Sequence, residues 1–335
     1  MKKIPRIVIL GGGTGSYVVA SGLSHSSVKI SMLLTMVDDG GSNQVLRDEF
    51  GLLPTSGIRQ SIVALAENKT ILRELFTYRF HQGGKDLNGM TFGNLFMAAM
   101  AEIMGSQKKG IEETCRLLQV KGKIIPVSYD DVRLLATYED GSQVLGEHHI
   151  DEPTHNGKLK IVNLETKPKA KLNPEAKEEL LKADLIILGP GDFYTNTIAN
   201  LIIEGMVETL TQSSAKIMFI SNLMTKYGEA YNYTLRNFVD DLGKYLPLEL
   251  LDYVLINNNF DFSTKALALY KKEQSIPVKD DLKAGNLNSH VKLIRANLLS
   301  KLIPSQVKGD NLKRSMIRHD SKDLAKIILS LMKEL

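Results

Sequence analysis

The sequence predicts an α/β fold, with a mostly parallel sheet, helices on both faces and a small antiparallel β insertion. Three observations lead to this prediction. Five short apolar runs each end in a polar or glycine-rich loop, segments with helical periodicity lie between several of them, and one stretch carries short β-like runs divided by turn dipeptides. Continuous apolar runs are typical of parallel strands buried on both faces. We therefore expect the five loops to meet at the carboxyl edge of the sheet, where open α/β sheets bind ligands.

The first apolar run, residues 4–10, leads directly into a glycine-rich loop and then into helical periodicity. Glycine permits a tight turn and a close approach of the backbone to a ligand, and the N-terminus of a helix attracts anions. Ser16 stands where the dinucleotide fingerprint has its third glycine, and the loop lacks the lysine of a Walker A motif. The loop predicts a Rossmann-like phosphate site, with a ligand-free turn as the alternative. Its candidate ligand-binding residues are Gly11, Gly12, Gly13, Thr14 and Gly15.

The second apolar run, residues 29–37, ends in two adjacent acids and a short polar turn, so that Asp38, Asp39 and Ser42 are candidate ligand-binding residues. An acid at the end of the second strand can bind ribose hydroxyls, and two acids together can hold Mg²⁺ against a diphosphate. On the second hypothesis, Asp39 is a metal ligand. A solvated turn is the third interpretation, because Asp-Gly is a common turn pair.

Helical periodicity follows at residues 58–67, 71–80 and 95–103. Arg59 lies in the first of these segments and could neutralise a phosphate. Asn94 precedes the third segment and can both donate and accept hydrogen bonds, which suits a sugar hydroxyl or a base edge. A capping role is the alternative for Asn94.

Residues 121–172 interrupt the α/β pattern with short β-like runs and with the hairpin signals Asp140-Gly141 and Asn156-Gly157. We interpret this stretch as an antiparallel insertion, a lid or a dimer surface, within a Rossmann-like core formed by residues 1–120 and 173–335. The insertion also holds three histidines whose spacing matches no common zinc pattern, and which we interpret as exposed residues: His148, His149 and His155.

Parallel-strand patterns return at residues 184–188, 216–220 and 252–256. The second glycine turn, after the first of these runs, precedes another predicted helix and so offers a second set of N–H donors. Polar residues after the next run include an asparagine that suits a hydroxyl or a base edge and a lysine that suits a phosphate. The candidate ligand-binding residues of these two loops are Gly189, Gly191, Tyr194, Thr195, Asn222 and Lys226. Residues 321–335 predict a terminal amphipathic helix.

The composition indicates a globular protein and argues against several function classes. The 335 residues are 43% hydrophobic and 24% charged, with a net charge of +4. This mild basicity does not indicate nucleic-acid binding, and residues 301–322, which hold several basic side chains, contain no Phe, Tyr or Trp on which a base could stack. The apolar run before Gly11 is too short for a signal peptide, and no stretch predicts a membrane span. Cys115 is the single cysteine, so we expect a packing residue in a cytoplasmic protein.

Five motifs, in order along nearly the whole chain, resemble the gluconeogenesis factor family, a bacterial family related to 2-phospho-L-lactate transferase. These motifs are Gly11–Gly15, Thr35–Ser42, Gly93–Leu95, Gly189–Thr195 and Asn222–Glu229. The resemblance implies a Rossmann-like sheet with a smaller inserted region, a cytoplasmic location and a homodimer. It also implies binding of UDP-sugars such as UDP-N-acetylglucosamine and a role in carbon-source adaptation, cell shape and cell-wall precursor supply, with no established reaction. The transferase relatives use a guanylylated phospholactate donor, a deazaflavin acceptor and Mg²⁺.

The sequence departs from the family pattern at three places that bear on function. Where the family has Pro-Pro-Gly-Asp-Ile-Arg, this chain reads Pro-Thr-Ser-Gly-Ile-Arg, so the acid is replaced by Gly57. A family histidine is replaced by Met90, and a Gln-Pro pair is replaced by Lys226-Tyr227. The lost carboxylate and histidine argue against metal-assisted chemistry.

Three functions follow, and the first is favoured: a nucleotide-sugar-binding regulator without turnover. The second is a Mg²⁺-dependent phosphotransferase similar to 2-phospho-L-lactate transferase, in which Asp38 and Asp39 are the catalytic pair. Phosphoryl transfer depends on metal and positioning, so the acid missing at Gly57 counts against it. The third is an NAD-dependent dehydrogenase, and the broken fingerprint at Ser16 counts against that.

Overall fold

The computed structural model describes residues 3–40, 42–67, 70–283, 285, 287–301 and 316–334. Within these residues, the strands form a seven-stranded sheet and a three-stranded sheet. The strands are β1 (Arg6–Leu10), β2 (Lys29–Leu34), β3 (Lys123–Pro126), β4 (Arg133–Tyr138), β5 (Gln143–Leu145), β6 (Ile161–Lys167), β7 (Leu185–Leu188), β8 (Lys216–Ile220), β9 (Tyr253–Asn257) and β10 (Lys292–Ala296).

The main sheet is parallel throughout, in the order β10-β9-β8-β7-β1-β2-β3. In its register, Ile7 of β1 lies opposite Ile30 of β2 on one side and opposite Leu185 of β7 on the other. The chain moves outward from β1 to β3 and then outward again from β7 to β10, so the strand order reverses between β1 and β7. A crevice opens at the carboxyl edge of such a reversal. The predicted Rossmann-like parallel sheet is confirmed.

Helices cover both faces of the main sheet, as predicted. They are α1 (Gly13–Leu23), α2 (Ser42–Phe50), α3 (Ser56–Leu65), α4 (Thr70–Thr77), α5 (Gly84–Leu87), α6 (Phe92–Met104), α7 (Gln107–Leu117), α8 (Glu147–Asp151), α9 (Pro174–Leu181), α10 (Ala199–Leu201), α11 (Met206–Gln212), α12 (Leu235–Leu242), α13 (Thr264–Lys272) and α14 (Ser321–Leu331). A π-helical turn, Phe193–Ile198, runs into α10, and a 3₁₀ turn spans Leu248–Leu250.

Alternate residues of β1 enter two different cores. Ile7 and Ile9 pack with α1, α3 and α14 on one face, whereas Val8 and Leu10 pack with α9, α12 and the antiparallel sheet on the other. The strand is apolar at every position because both of its faces are buried. Full burial of each such side chain contributes about 1.5–3 kcal/mol, so the strand ends are firmly held and fix the positions of the loops that follow them.

The antiparallel insertion is present, but it begins later than the sequence pattern predicts. Residues Lys123–Pro126, placed at the start of the insertion by their β-like pattern, instead pair with β2 as an edge strand of the main sheet. The three-stranded sheet, in the order β5-β4-β6, starts at Arg133. Asp140-Gly141 does turn β4 into β5, with Gly141 at φ +84°. The division of the chain into a core and an insertion stays a prediction. Leu134 and Tyr138 of the insertion share a hydrophobic core with the main sheet.

Cys115 in α7 is a packing residue, half-buried against the core beneath α1 and α3. Burial raises the pKa of its thiol to about 12, so it stays protonated at neutral pH and is a poor nucleophile. In the ranges that the structure describes, no helix combines the length and the apolar character needed to cross a membrane. Most of the basic segment near the C-terminus, residues 302–315, lies outside the described residues.

Candidate functional site

An open cleft with a volume of about 170 Å³ lies at the carboxyl edge of the main sheet, next to the point where the strand order reverses. Ligands of open α/β sheets bind at this place in the fold. The loops after β1, β2 and β7 form three of its walls, and α3 and α8 complete it. Its lining residues are Gly12, Gly13, Leu34, Thr35, Val37, Asp38, Ser56, Gly57, Gln60, Glu147, Asp151, Asp192, Thr195 and Asn196.

The first turn of α1 borders this cleft. Gly12 is the N-cap residue, and within the described part of the chain no side chain accepts a hydrogen bond from the amides of Gly13, Thr14 or Gly15. Gly13 has φ +66°, and a Cβ placed there would meet only the Nδ2 of Asn196, at 3.9 Å. The N-terminal end of α1, with its unpaired first-turn amides and the positive end of its dipole, therefore borders the cleft at Gly12 and Gly13, which is an arrangement that binds phosphate groups.

The neighbouring glycines of this loop are required by packing. A Cβ at Gly12 would lie 2.2 Å from the Oδ1 of Asn196, and a Cβ at Gly15 would lie 2.1 Å from the carbonyl oxygen of Pro190. Both contacts are with the loop that follows β7, so the two glycine loops pack directly against each other. A Cβ at Gly11 would lie 2.4 Å from the Oγ of Ser16. Gly13 alone among these four has open space beside it.

The second glycine turn does not offer a free helix end. Glu229 occupies the first turn after it: the Oε2 of Glu229 accepts hydrogen bonds from the backbone amides of Tyr194 at 2.8 Å and Thr195 at 3.1 Å. The hydroxyl of Thr195 donates to the Oε1 of Glu229 at 3.0 Å. The predicted second set of N–H donors is therefore already satisfied by a buried carboxylate. Gly189 and Gly191 form the turn itself, and the Gly189 amide donates to the carbonyl oxygen of Leu10.

Tyr194 points away from the cleft. Its side chain is fully buried, and its hydroxyl donates to the Oδ2 of Asp241 at 2.6 Å while lying 3.1 Å from the carbonyl oxygen of Ile161. These partners belong to α12 and to the antiparallel sheet, so the phenol connects the insertion to the core. The structure thus removes the side chain of Tyr194 from the candidate ligand-binding residues.

Arg59 and Asn94 lie behind the wall of the cleft, buried between α3 and α6. The Nη1 of Arg59 donates to the carbonyl oxygen of Phe76 at 3.1 Å, and a Cβ at Gly93 would lie 2.5 Å from the Cδ of Arg59. The hydroxyl of Thr55 donates to the Oδ1 of Asn94 at 3.3 Å. Neither Arg59 nor Asn94 lines the cleft, so their predicted contacts with phosphate and sugar give way to a role in joining the two helices.

Asp38 lines the cleft and is engaged on both carboxylate oxygens. Its Oδ1 accepts a hydrogen bond from the amide of Gly40 at 3.0 Å. Its Oδ2 accepts from the Nδ2 of Asn43 and from the Oγ of Ser56, each at 2.6 Å. Ser42 begins α2, but the structure does not describe its side chain, and the neighbouring Gly41 lies outside the described residues.

Asp39 connects the loop after β2 to the insertion, because its Oδ1 accepts a hydrogen bond from the amide of His148 at 2.9 Å. The groups around Asp38 and Asp39 do not fit a Mg²⁺ ion held between them. Mg²⁺ demands near-octahedral oxygen ligands at short distance, and among the described residues no third His, Cys, Asp or Glu side chain joins Asp38 and Asp39 in a metal-ligating cluster. Gly57, at the place of the family's acid, supplies no further carboxylate.

Lys226 lies beside the cleft, at an acidic corner where its ammonium contacts three carboxylates. It forms a short ion pair with the Oδ1 of Asp151, lies 2.9 Å from the Oδ2 of Asp192, and lies 3.5 Å from the Oε1 of Glu229. The predicted free cation for a phosphate is thus already paired. Asn222, on the same loop, donates from its Nδ2 to the carbonyl oxygen of Gly191 at 2.7 Å and so supports the second glycine turn.

Burial and mutual charge shift the pKa values of this corner. Burial raises the pKa of Glu229 to about 7. Burial, together with the charges of Asp38 and Asp151, raises the pKa of Glu147 well above its ordinary value. Burial opposes the charge of Lys226, but the surrounding carboxylates outweigh it and raise the pKa of the ammonium well above its usual range. Lys226 is therefore charged at every physiological pH, whereas Glu147 and Glu229 retain protons toward neutral pH.

The cleft thus has two chemically different walls. The wall formed by Gly13 and the first turn of α1 presents N–H donors and a positive dipole. The opposite wall presents the carboxylates of Asp38, Glu147, Asp151 and Asp192, and none of the described lining residues is a lysine or an arginine. The first wall suits an anionic group, and the second suits hydroxyl or amide groups that donate hydrogen bonds.

Comparison with known proteins agrees with the sequence motifs. Residues 7–299 match the family described as 2-phospho-L-lactate transferase CofD. The chain belongs to the CofD family. A gluconeogenesis factor from Bacillus subtilis is 34% identical over 337 residues, with 100% of both chains covered. A second one, from Halalkalibacterium halodurans, is 37% identical over 278 residues, which are 83% of this chain and 84% of that protein.

A solved structure shares the fold of this CofD-family chain. It is the crystal structure of a Bacillus halodurans protein described as a member of the UPF0052 family, with a TM-score of 0.87 and 32% sequence identity. The superposition covers 98% of this chain and 100% of that chain. The family and the fold are therefore shown by sequence and by structure together.

The sequence prediction of the CofD-family site missed several acidic residues. Asp192 and Glu229 lie within the recognised motifs, and their acidic character was a signal that could have selected them. Glu147 and Asp151 lie in α8 of the insertion, whose sequence carries no binding motif. Only the folded arrangement brings α8 over the carboxyl edge of the main sheet, where it contacts the end of β2 through Asp39.

Proposed function

We propose that this chain is a cytoplasmic nucleotide-sugar-binding protein that acts as a regulator without turnover. The observation that carries the proposal is the uncapped first turn of α1, which opens into the cleft at Gly13. In this proposal the diphosphate of the ligand lies against the amides of Gly13, Thr14 and Gly15. Its charge is then stabilised by unpaired donors and by the helix dipole, without a basic side chain.

The carboxylate wall supports a ligand that carries hydroxyl groups as well as phosphate. The negative charges of Asp38, Asp151 and Asp192 disfavour a phosphate at this wall, and carboxylate oxygens with a remaining lone pair accept hydrogen bonds from hydroxyls. A glycosyl diphosphate has both kinds of group, one for each wall. A UDP-sugar such as UDP-N-acetylglucosamine meets this requirement, whereas a simple phosphate ester leaves the carboxylate wall without a partner.

The biological role in this proposal is the adjustment of carbon-source use, cell shape and cell-wall precursor supply. Its carbon-source part is supported by relatives that are named gluconeogenesis factors and are similar over most or all of this chain. A protein that senses a nucleotide sugar can report the supply of cell-wall precursors. The proposal includes a homodimer, which light scattering of the purified chain can test.

A Mg²⁺-dependent transferase is the second candidate, and one observation favours it. The chain matches the family described as 2-phospho-L-lactate transferase CofD over residues 7–299. Asp38 lines the cleft and Asp39 is adjacent, which is where a metal-dependent step would take place. Against it stand the hydrogen bonds that already engage Asp38 and the absence of a side chain at Gly57.

Thermal unfolding with and without ligands separates these candidates. The purified chain is heated with UDP-N-acetylglucosamine, with GDP plus Mg²⁺, and with NAD. A ligand at about a hundred times its dissociation constant adds roughly 2.7 kcal/mol to the free energy of unfolding. A shift with the UDP-sugar alone supports the regulator, and a shift that requires both GDP and Mg²⁺ supports the transferase. If the UDP-sugar gives no shift at any concentration up to several millimolar, the first proposal is wrong.

Asp39→Asn provides a second test of the transferase. If the chain forms a Mg²⁺-dependent product from a phosphoryl donor, this substitution should abolish it by removing a metal-binding charge. An unchanged rate in the variant would rule out the assigned role of Asp39. Asp252→Asn is a matched control, because Asp252 pairs with Lys216 on the opposite, amino-terminal side of the sheet.

A further inference from the structure

The ammonium of Lys226 takes up a position that a metal ion could also occupy. The carboxylates of Asp151, Asp192 and Glu229 come from three separate segments, namely α8, the loop after β7 and the loop after β8. One oxygen from each lies within 4.8 Å of the others, which is close enough for a single cation to contact all three. Lys226 extends into the space between them and contacts each one.

We infer that Lys226 supplies the resident cation of the cleft, and that its ammonium makes ligand binding independent of divalent metal. The inference rests on the proposed function only for the identity of the ligand. Lys226 is a positioning residue, because it acts on the three carboxylates that shape one end of the cleft.

The chemistry of the ammonium group supports this role. It has three N–H donors and no acceptor, which matches one donor to each of the three carboxylates. A divalent ion that entered the corner would have to displace these contacts and stand within a few ångströms of the ammonium. Such an approach is opposed by like-charge repulsion, which is strong in a partly buried site.

The ammonium also holds the insertion closed over the sheet edge. Asp151 belongs to the insertion, while Asp192 and Glu229 belong to the core. Without the ammonium, three carboxylates would face one another with no cation between them, and the insertion would be repelled from the core. The corner would then gain stability from any small cation that can replace the ammonium, and a divalent ion fits three carboxylate oxygens.

The test replaces Lys226 by a neutral glutamine, as Lys226→Gln. The parent and the variant are unfolded by heat in a metal-free buffer and again with MgCl₂, MnCl₂ or CaCl₂, while NaCl keeps the ionic strength constant. The melting temperature of the parent should not respond to the metals. The variant should melt lower in metal-free buffer and should recover by at least about 2 °C when a divalent ion is added.

Two further variants complete the design. Lys216→Gln also removes a lysine from an ion pair, here with the single carboxylate of Asp252, and it should show no response to divalent ions. Lys226→Arg keeps the positive charge, so it should also remain insensitive to metal. The ligand arm, which needs only the parent chain, keeps the inference open to test if Lys226→Gln fails to fold.

The ligand arm tests the parent chain directly. Binding of UDP-N-acetylglucosamine, measured by calorimetry, should have the same affinity in EDTA and in MgCl₂. If the ligand binds in MgCl₂ but not in EDTA, the inference about Lys226 is overturned, whereas the proposal that the chain binds a nucleotide sugar still stands. A parent that is stabilised by divalent ions, or a Lys226→Gln variant that responds no more than Lys216→Gln, would also overturn it. Absence of any UDP-sugar binding would instead count against the proposed function, because the metal titrations need no ligand.

Discussion

The glycines of the first loop should separate into two groups when they are replaced by alanine. A methyl group at Gly15 would lie 2.1 Å from the backbone oxygen of Pro190, so either loop must move. A methyl group at Gly13 would lie in open space, 3.9 Å from the nearest side-chain atom, and its backbone has φ +66°. We therefore expect Gly15→Ala to reduce stability and Gly13→Ala to reduce ligand binding.

The magnitudes follow from these distances and angles. Overpacking of a tight core site costs about 1–3 kcal/mol, and a clash with backbone belongs at or above the upper end of that range. A non-glycine residue in the left-handed region costs roughly 1–2 kcal/mol. The free energy of unfolding should therefore fall more in Gly15→Ala than in Gly13→Ala. The methyl group at Gly13 also takes space that a phosphate oxygen needs, so the affinity for UDP-N-acetylglucosamine should fall at least about tenfold, or 1.4 kcal/mol.

Urea unfolding and calorimetry of the same samples measure both quantities. Gly105→Ala is a matched control, because Gly105 ends α6 with φ +70° and has no atom within 4 Å of an added Cβ. It imposes a similar backbone strain far from the cleft lining and should leave affinity unchanged. The reasoning is refuted if Gly13→Ala binds the ligand like Gly105→Ala, or if Gly13→Ala is less stable than Gly15→Ala.

Three further predictions concern polar groups that are paired within the fold. Tyr194→Phe should lower the free energy of unfolding by about 1.5–3 kcal/mol in urea, because it removes a hydrogen bond to the carboxylate of Asp241, and it should leave the thermal shift by ligand unchanged. Asn222→Ala removes the bond to Gly191 and should cost about 0.5–1.5 kcal/mol of stability, with a weakening of ligand binding no larger than that. Burial raises the pKa of Glu229 from 4.5 to about 7, so the folded protein holds a proton that the unfolded chain releases. Stability of the parent should therefore fall as pH rises between about 5 and 7, and urea titrations of Glu229→Gln should show a smaller fall over that interval.

The sequence by itself determined most of the main sheet and predicted several of the loops that surround the cleft. Buried parallel strands must be apolar on both faces, so the runs that became β1, β2, β7, β8 and β9 are visible without any tertiary information. Parallel strands place their carboxyl ends at one edge, and this rule alone brings the glycine loop, the paired acids and the second glycine turn together. The open end of α1 at Gly13 follows from the same local pattern of strand, glycine and helix.

Only the tertiary structure decided which of those polar residues face the cleft. Asn94, Arg59 and Tyr194 carry the right chemistry, but their helices turn them into the core, and a sequence motif does not record the direction of a side chain. Glu229 fills the second helix end because the loop after β8, the next strand in the sequence, folds across it. Lys226 is paired for the same reason, since its partner Asp151 comes from an insertion whose docking depends on long-range contacts with the end of β2.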